Sequence, residues 1–406
     1  MTIARPTPAP ADRQPAMPAV LWSLLFGNFV IGTGVMIVAG TLNEISNAFR
    51  VPVPTAGRLI SAGALLMCAS APLLAAVVAG WDRRRLLALS LLWYAALHLA
   101  CAAAPTFASL LPLRVLALIA PAVFTPQAAA CIGLLVPPPL RGRGITFVFL
   151  GWSVASVLGM PIGAYVGGTF DWNSAFVLVG VLSFAGAAWV WRAMPDGVKP
   201  PALSRAAWAA TFGSAPLMVC ILVTVLYAAG QFVLFAYLAP YFRQKIGVTV
   251  GQLSLLLMWF GAFGFLGNIV MSRHVDRFGA GRAVLLGICA MAASLLAWPL
   301  GTSMVLAAAV SVPWALGCFA TNSAQQARLV GIAPALAAGS IALNSSAMYA
   351  GQALGAAGGG WLIERTGTMD HLHWVGFTIL LLAAAGSAWA SRLQQPRPKG
   401  RRAAPG

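Results

Sequence analysis

The chain has 406 residues, of which 60% are hydrophobic and only 8% charged, with a net charge of +17. So little charge cannot cover the surface of a water-soluble protein of this size, which excludes a soluble globular domain and makes the lipid bilayer the fitting solvent. The basic excess would suit a nucleic-acid binder, but apart from Arg114 it lies in tails and in loops at the ends of apolar blocks, and that placement argues against nucleic acid.

Residues 1–18, rich in Pro and Ala, have no isolated apolar core with a cleavage site and read as a disordered cytoplasmic tail. Twelve apolar blocks follow, each near the roughly 20 residues that a spanning helix needs. The predicted spans are Ala19–Leu42, Ala56–Gly80, Leu86–Ala104, Phe107–Val136, Gly144–Gly168, Ser174–Met194, Pro216–Phe242, Gln252–Ser272, Ala283–Leu300, Ser303–Ala327, Pro334–Ile363 and Trp374–Ser391. Inside hydrocarbon every backbone N–H and C=O must be paired within its own segment, so these blocks are helices. A barrel would show short alternating strands, and Ala62–Val78 does not alternate. The predicted fold is an all-α membrane protein of twelve transmembrane helices.

The longest polar connection, residues 195–214 with Lys199, Pro200, Pro201 and Arg205, reads as a cytoplasmic linker between two six-helix bundles, 19–194 and 215–391. Residues 392–406 form a basic cytoplasmic tail suited to anionic headgroups. With both termini on one side, the loops there carry Arg83, Arg84, Arg85, Arg141, Arg143, Arg192, Lys199, Arg205, Arg273, Arg277, Arg282 and Arg328. The other side carries only Arg50, Arg58, Arg243, Lys245 and Arg365. This skew predicts a multi-pass protein of a bacterial-type inner membrane with N-in, C-in topology.

The halves repeat each other. A shift of 196 residues carries Thr125, Pro138, Leu140, Ile145, Leu158, Gly159 and Gly163 onto Thr321, Pro334, Leu336, Ile341, Leu354, Gly355 and Gly359. Two similar bundles that rock about a central site are the design of alternating-access transporters. Cys68, Cys101, Cys131, Cys220, Cys289 and Cys318 all fall in predicted spans without metal-ligand spacing, and read as small buried residues. No metal and no cofactor are expected.

Within the spans, Arg114 is the sharpest residue, the single arginine or lysine clearly inside one. An unpaired charge there costs at least about 2.5 kcal/mol. It either lines a central cavity or snorkels to the outer headgroups. His98 could carry protons, or be a packed polar residue. Asn28, Thr125, Gln127, Tyr227, Gln231, Asn322, Gln325, Gln326, Asn344, Tyr349 and Gln352 are the polar candidates for lining a substrate cavity. Amides and phenols avoid lipid and favour a wet chamber or a neighbouring helix. This set, with one cation, suits neutral polar or weakly anionic small molecules better than multivalent cations.

Several motifs occur in an ordered series. Ser272-Arg273-His274-Val275-Asp276-Arg277-Phe278-Gly279, followed by Arg282, is close to the form G-x-x-x-D-R-x-G-R-R with Ser272 in place of the leading glycine, and Gly80-Trp81-Asp82-Arg83-Arg84-Arg85 is a degenerate copy of it. Leu110 to Arg114 fits L-x-x-x-R, and Gly159-Met160-Pro161-Ile162-Gly163 with Gly167-Gly168 fits a shortened G-x-x-x-G-P-x-x-G-G. The chain resembles the major facilitator superfamily, in its twelve-helix drug:proton antiporter branch of sugar, nucleoside and chloramphenicol efflux proteins. The resemblance implies that Asp82, Arg83, Arg84, Arg85, Asp276, Arg277, Gly279 and Arg282 act in conformational latching. It implies that Gly159, Pro161 and Gly163 form a close, bendable contact with a helix of the other half. It also implies a cavity and coupling role for Arg114. One departure matters. Gly32-Thr33-Gly34-Val35 to Gly40 resembles G-T-x-E-F-x-x-x-G with Val35 where relatives carry an acid, so proton coupling does not carry over intact. Asn173 also replaces the arginine of a W-R dipeptide.

The leading expectation is secondary efflux of a small polar or amphipathic molecule by a monomer, with protons as a candidate coupling ion. The alternatives are a facilitator or importer on the same fold and, from another class, a polytopic membrane enzyme. No P-loop is present for ATP to act directly. His371-Leu372-His373 lacks a third ligand for metal chemistry.

Overall fold

A computed structural model describes residues 19–78, 80–137, 140–199 and 205–393. The expected tails, and Asp12, Ala79, Pro138, Pro200 and Pro201, lie outside the described residues. Among the described residues the regular structure is helical. The helices are α1 (Ala19–Gly40), α2 (Leu42–Phe49), α3 (Val53–Val77), α4 (Arg83–Ala102), α5 (Phe107–Ala117), α6 (Ile119–Leu135), α7 (Arg141–Val154), α8 (Met160–Thr169), α9 (Trp172–Ala193), α10 (Arg205–Phe212), α11 (Ala215–Phe235), α12 (Leu238–Tyr241), α13 (Val250–Phe278), α14 (Ala280–Ala297), α15 (Met304–Ile332), α16 (Ala337–Thr366) and α17 (Leu372–Leu393).

Eleven of the spans are long and apolar enough to cross a membrane by length and composition. The twelfth long helix, α16, has 30 residues but carries Asn344, Ser345, Ser346, Tyr349, Gln352 and a run of glycines, which lower its hydropathy. Its place explains the composition. It packs against α11 of its own half and α3 of the other, and so faces protein along much of its length.

Prolines break three spans that read as continuous. The fourth divides at Leu118 into α5 and α6, because Pro121 cannot donate to the Ala117 carbonyl. The seventh ends at Phe235 and continues as α12 and a π-turn, Phe242–Ile246, because Pro240 lacks the N–H owed to Ala236. The fifth contains a π-turn, Ala155–Gly159, just before Pro161, where Met160 N–H reaches back to the Ala155 carbonyl. Part of the expected linker is the short helix α10.

The repeat is built into the architecture. Ala19 opens α1 and Ala215 opens α11, while Arg141 opens α7 and Ala337 opens α16, the same 196-residue offset. Because successive spans alternate in direction, the loops carrying Arg83, Arg141, Arg192 and Arg277 gather at one face, here called the basic face. The segments α2 and α12 lie at the opposite, far face. The halves meet through α3 with α16, through α7, its π-turn and α8 with α13, and through α12 with α1 and α2.

Two arginines expected in loops are buried. Arg328 lies inside α15, 3% exposed, and donates to the Ser387 hydroxyl, the Ser387 carbonyl and the Ser391 hydroxyl of α17. Arg83 opens α4 at 2% exposure and donates to the carbonyls of Val78 and Trp81. Arg114 is therefore one of three buried arginines among the described residues. The correction arises because α15 runs five residues past Ala327, to Ile332.

Candidate functional site

Arg114 does not snorkel. It is 1% exposed, and its Nη2 donates to the carbonyls of Gly34 at 2.7 Å and Val35 at 3.2 Å on α1. Its Nη1 lies 3.1 Å from Nε2 of His98. A guanidinium can only donate, so Nε2 is the acceptor and the ring proton sits on Nδ1, which donates to the Tyr94 carbonyl at 2.9 Å. Tyr94 in turn donates its hydroxyl to Ile31 O at 3.2 Å. A cation thus sits on α1 against neutral partners, at the position where the resembled pattern carries an acid. Protonating His98 would remove the acceptor and set two cations side by side.

The second polar group of this half joins α1, α6 and α7. The Thr125 hydroxyl donates to Asn28 Oδ1 at 2.7 Å, the Asn28 amide donates to Val148 O at 3.2 Å, and the Trp152 indole donates to Thr125 Oγ1 at 3.2 Å. Gln127 is buried on α6.

The other half holds a larger network. The Thr224 hydroxyl reaches Asn344 Oδ1 at 2.7 Å, and the Asn344 amide reaches Asn322 Oδ1 at 3.0 Å. The Tyr227 hydroxyl lies 3.4 Å from that same Asn322 oxygen. The Gln325 amide donates to Cys220 O at 2.6 Å and toward Thr224 Oγ1 at 3.3 Å, which leaves Gln325 Oε1 buried and without a partner. Gln231 is the acceptor for the Trp314 indole at 3.5 Å. Tyr349 and Gln352 are half-buried on α16, and Tyr349 lies within electrostatic reach of Tyr94 across the division between the halves.

Of the sequence candidates, the structure brings Asn28 and Thr125 together in one half, and Tyr227, Asn322, Gln325 and Asn344 in the other. Sequence reading missed Thr224, Trp152, Trp314 and Tyr94. The repeat held a signal for the first. Asn28 and Val148 map onto Thr224 and Asn344 under the 196-residue shift, and both pairs are hydrogen-bonded. His98 and Arg114 map likewise onto Ser294 and Val310, which are joined by a bond from the Ser294 hydroxyl to Val310 O at 2.5 Å. One geometry recurs, with the charge present in one copy.

The expected latch residues lie at the basic face. Asp82 caps α4 through the Arg85 N–H and accepts from Gly197 N–H, and Arg84 pairs with Asp196 at 2.7 Å, donates to Trp191 O and lies over the Trp191 ring. These contacts tie α4 to the end of α9 within one half; they do not join the halves. Arg85, Arg277 and Arg282 are exposed, and the side chain of Asp276 lies outside the described residues. Gly279 links α13 to α14 at φ +78°, a conformation that L side chains rarely adopt. Span five does meet α13 of the other half, but Gly159 and Gly163 themselves face Thr33 and Ile37 of α1 in their own half. Pro161 does face the other half, through its carbonyl, which accepts from the Ser254 hydroxyl at 2.8 Å. The close approach there belongs to Gly261 of α13, set against the Ser156 backbone.

The far face is closed by Tyr237. Its hydroxyl donates to Ala356 O at 2.7 Å and its ring fills the space over Gly57 of α3 and Gly359 and Gly360 of α16. Arg58 and Glu364 pair across the halves at 3.6 Å, but with side chains 60% and 45% exposed this bridge contributes only about 0–1 kcal/mol. No group of three or more His, Cys, Asp or Glu that could hold a metal occurs among the described residues.

Comparison with known proteins gives the same picture. The profile of the Major Facilitator Superfamily matches residues 24–341 and 220–406. A chloramphenicol resistance protein of Streptomyces lividans is 34% identical over 272 residues, covering 64% of this chain and 68% of that protein. The chloramphenicol efflux pump Rv0191 of Mycobacterium tuberculosis is 31% identical over 66% of this chain and 65% of its own length. The uncharacterized MFS-type transporter YtbD of Bacillus subtilis is 27% identical over 94% of this chain and 97% of its own. Among solved structures, a bacterial homologue of the human lysosomal transporter Spinster in an inward-facing, occupied conformation matches with a TM-score of 0.74 at 20% identity, over 93% of this chain and 98% of that one. A D-xylose–proton symporter matches with a TM-score of 0.75 at 14% identity, over 91% and 96%. The chain belongs to the Major Facilitator Superfamily and is a secondary transporter, not an enzyme.

Proposed function

We propose that this transporter exports a small neutral polar or amphipathic molecule by alternating access, as a monomer in a bacterial-type inner membrane with both termini in the cytoplasm. The observation that carries the reading is the pair of amide and hydroxyl sets, buried Asn28–Thr125 in one half and Thr224–Asn322–Asn344, with Asn322 half-buried, in the other. They offer neutral donors and acceptors, and the charges buried within the spans among the described residues, Arg114 and Arg328, are cations. The chloramphenicol resistance protein and the chloramphenicol efflux pump among the relatives support a substrate of this class. The basic face then lies in the cytoplasm by the positive-inside rule. The conformation is closed outward by Tyr237, with Leu73 and Val77 of α3 exposed at the cytoplasmic end.

Chloramphenicol uptake into inverted vesicles tests the reading. Asn322→Ala and Asn344→Ala each remove one neutral hydrogen-bonding group, and each should raise KM about tenfold at unchanged expression. Saturable uptake that is indifferent to both substitutions would reject this site. A thermal-stability screen in which only cationic drugs stabilise the purified protein would reject the substrate class. Reporter fusions after Lys199 and at the C-terminus should both read cytoplasmic, and a periplasmic signal at either would overturn the orientation.

One observation favours a second reading, an uncoupled facilitator or importer. Val35 cannot bind a proton, and Arg114 beside it is matched only by neutral groups. An imposed pH gradient separates the two. Exchange through Arg114 and His98 makes uptake follow the gradient, whereas a facilitator ignores it.

A further inference from the structure

Glu44 stands apart from the other acids whose side chains the structure describes. Asp82 caps a helix, Asp196, Glu364 and Asp370 are paired with Arg84, Arg58 and Lys245, and Asp171 is exposed. Among the described residues, Glu44 is the acid with a buried carboxylate oxygen, Oε2, that has no hydrogen-bond partner. Its neighbour Asn43 also buries an unpartnered amide nitrogen. Both lie on α2, the far-face element of the first half, which packs against α12 of the second half as well as against α3 and α9. The carboxylate therefore sits where the halves meet, and where they must part if the far face opens.

Ionisable groups on α2 and the elements around it are Arg50 at its own C-cap, Arg58 on α3, Asp171 at the head of α9, and Tyr237, Tyr241, Arg243 and Lys245 on and around α12. Arg58 and Lys245 are engaged by Glu364 and Asp370. Arg243, on the opposite half, is the one whose charge acts on Glu44. No Glu44 salt bridge forms within 4 Å among the described residues, so the carboxylate is desolvated without a bonded countercharge.

We propose that Glu44 is a proton-operated latch on the far face: a proton taken from that side onto the carboxylate holds the two halves together, and its loss lets them part. The reading rests on alternating access as proposed above. Burial pushes the Glu44 carboxyl above the usual carboxylate range, while its own backbone N–H and the charge of Arg243 pull it back. In the parted state the carboxyl is hydrated and returns toward its ordinary value near 4.5. The sign follows by linkage. The closed state binds the proton more tightly, so its advantage is fully present below the ordinary value and is lost as pH rises through the raised one. The proton leaves to the side from which it came. The latch thus sets how readily the far face opens, without carrying a proton across the membrane.

The test places nitroxide labels at Asn47→Cys on α2 and Gln244→Cys beyond α12, both exposed positions, in a full-length protein with its native cysteines replaced. Distances are read by pulsed electron resonance in nanodiscs between about pH 5 and about pH 8. With Glu44 intact, the ratio of long to short distances should rise about tenfold with pH. Glu44→Gln, which cannot ionise, should hold the short distance throughout. Arg243→Gln removes the opposing charge and should move the midpoint to higher pH, which keeps the test decisive if Glu44→Gln folds poorly. A pH response that survives Glu44→Gln, or a midpoint unmoved by Arg243→Gln, would overturn the latch. A long-distance population that is present but indifferent to pH sinks the latch alone. A single short distance at every pH, with and without chloramphenicol, sinks the latch and alternating access together.

Discussion

Arg114→Ala should abolish most transport while leaving the folded protein in the membrane. The guanidinium is buried among neutral acceptors, and a charge at this depth costs at least about 2.5 kcal/mol before pairing. Its removal lifts that cost. The carbonyls of Gly34 and Val35 lie inside α1, where helix bonds already serve them, and His98 Nε2 is the acceptor that loses its partner. Thermal stability should therefore stay near the parent value. Transport should fall about 100-fold, equivalent to about 2.7 kcal/mol, because this cation polarises the interior beside the polar sets. Arg114→Lys should not restore it, since one ammonium cannot reproduce a planar fork that reaches two carbonyls and an imidazole together. Parallel size-exclusion profiles and vesicle uptake decide the matter. Uptake within twofold of the parent, or loss of folded protein, would reject a transport role for Arg114.

The architecture was largely legible in the sequence because it follows from solvent and period. A bilayer demands about 20 apolar residues per span, and a 196-residue repeat survives wherever a helix start or a close packing position is constrained. The details that escaped depend on contacts between spans. Helix breaks at Leu118 and Ala236 are set by proline, but an apolar block hides them. Arg328 read as a loop residue because it follows a span of ordinary length, and only the serines of α17 make its burial tolerable. Asp82 was legible as a carboxylate at a helix end, but its partners were not, because they are backbone N–H groups of Arg85 and Gly197. Gly159 and Gly163 were recognisable as close-packing glycines, but nothing in their spacing says which helix they approach. The buried partners of Arg114 were equally hidden. A carbonyl has no letter in the sequence, and Val35 shows only that an acid is missing.

Gly261→Leu should prevent the halves from closing on each other and so stop transport. A Cβ at this position would meet the backbone of Ser156 and would lie 2.8 Å from Val157 N, and backbone cannot rotate aside as a flexible side chain can. The Ser156 carbonyl belongs to the π-turn that precedes Pro161, so the two helices approach where regular helix hydrogen bonding is already interrupted. Helix propensity works in the other direction, because replacing glycine within a helix by leucine favours the helix by up to about 1 kcal/mol. The two effects separate cleanly. If Gly261 is merely a weak point in α13, the variant should be more thermally stable and should transport normally. If the close approach is required, uptake should drop at least about tenfold while each half remains folded, since the clash lies between the halves. The label pair on Asn47→Cys and Gln244→Cys should then report a longer distance at all pH values, including those at which Glu44 would hold the far face shut. Gly261→Ala should fall between parent and Leu variant, because its methyl meets the same backbone but adds nothing beyond it. Normal uptake by the Leu variant, with the short distance retained, would show that α13 and the π-turn can accommodate a side chain and that this contact does not limit the transport cycle.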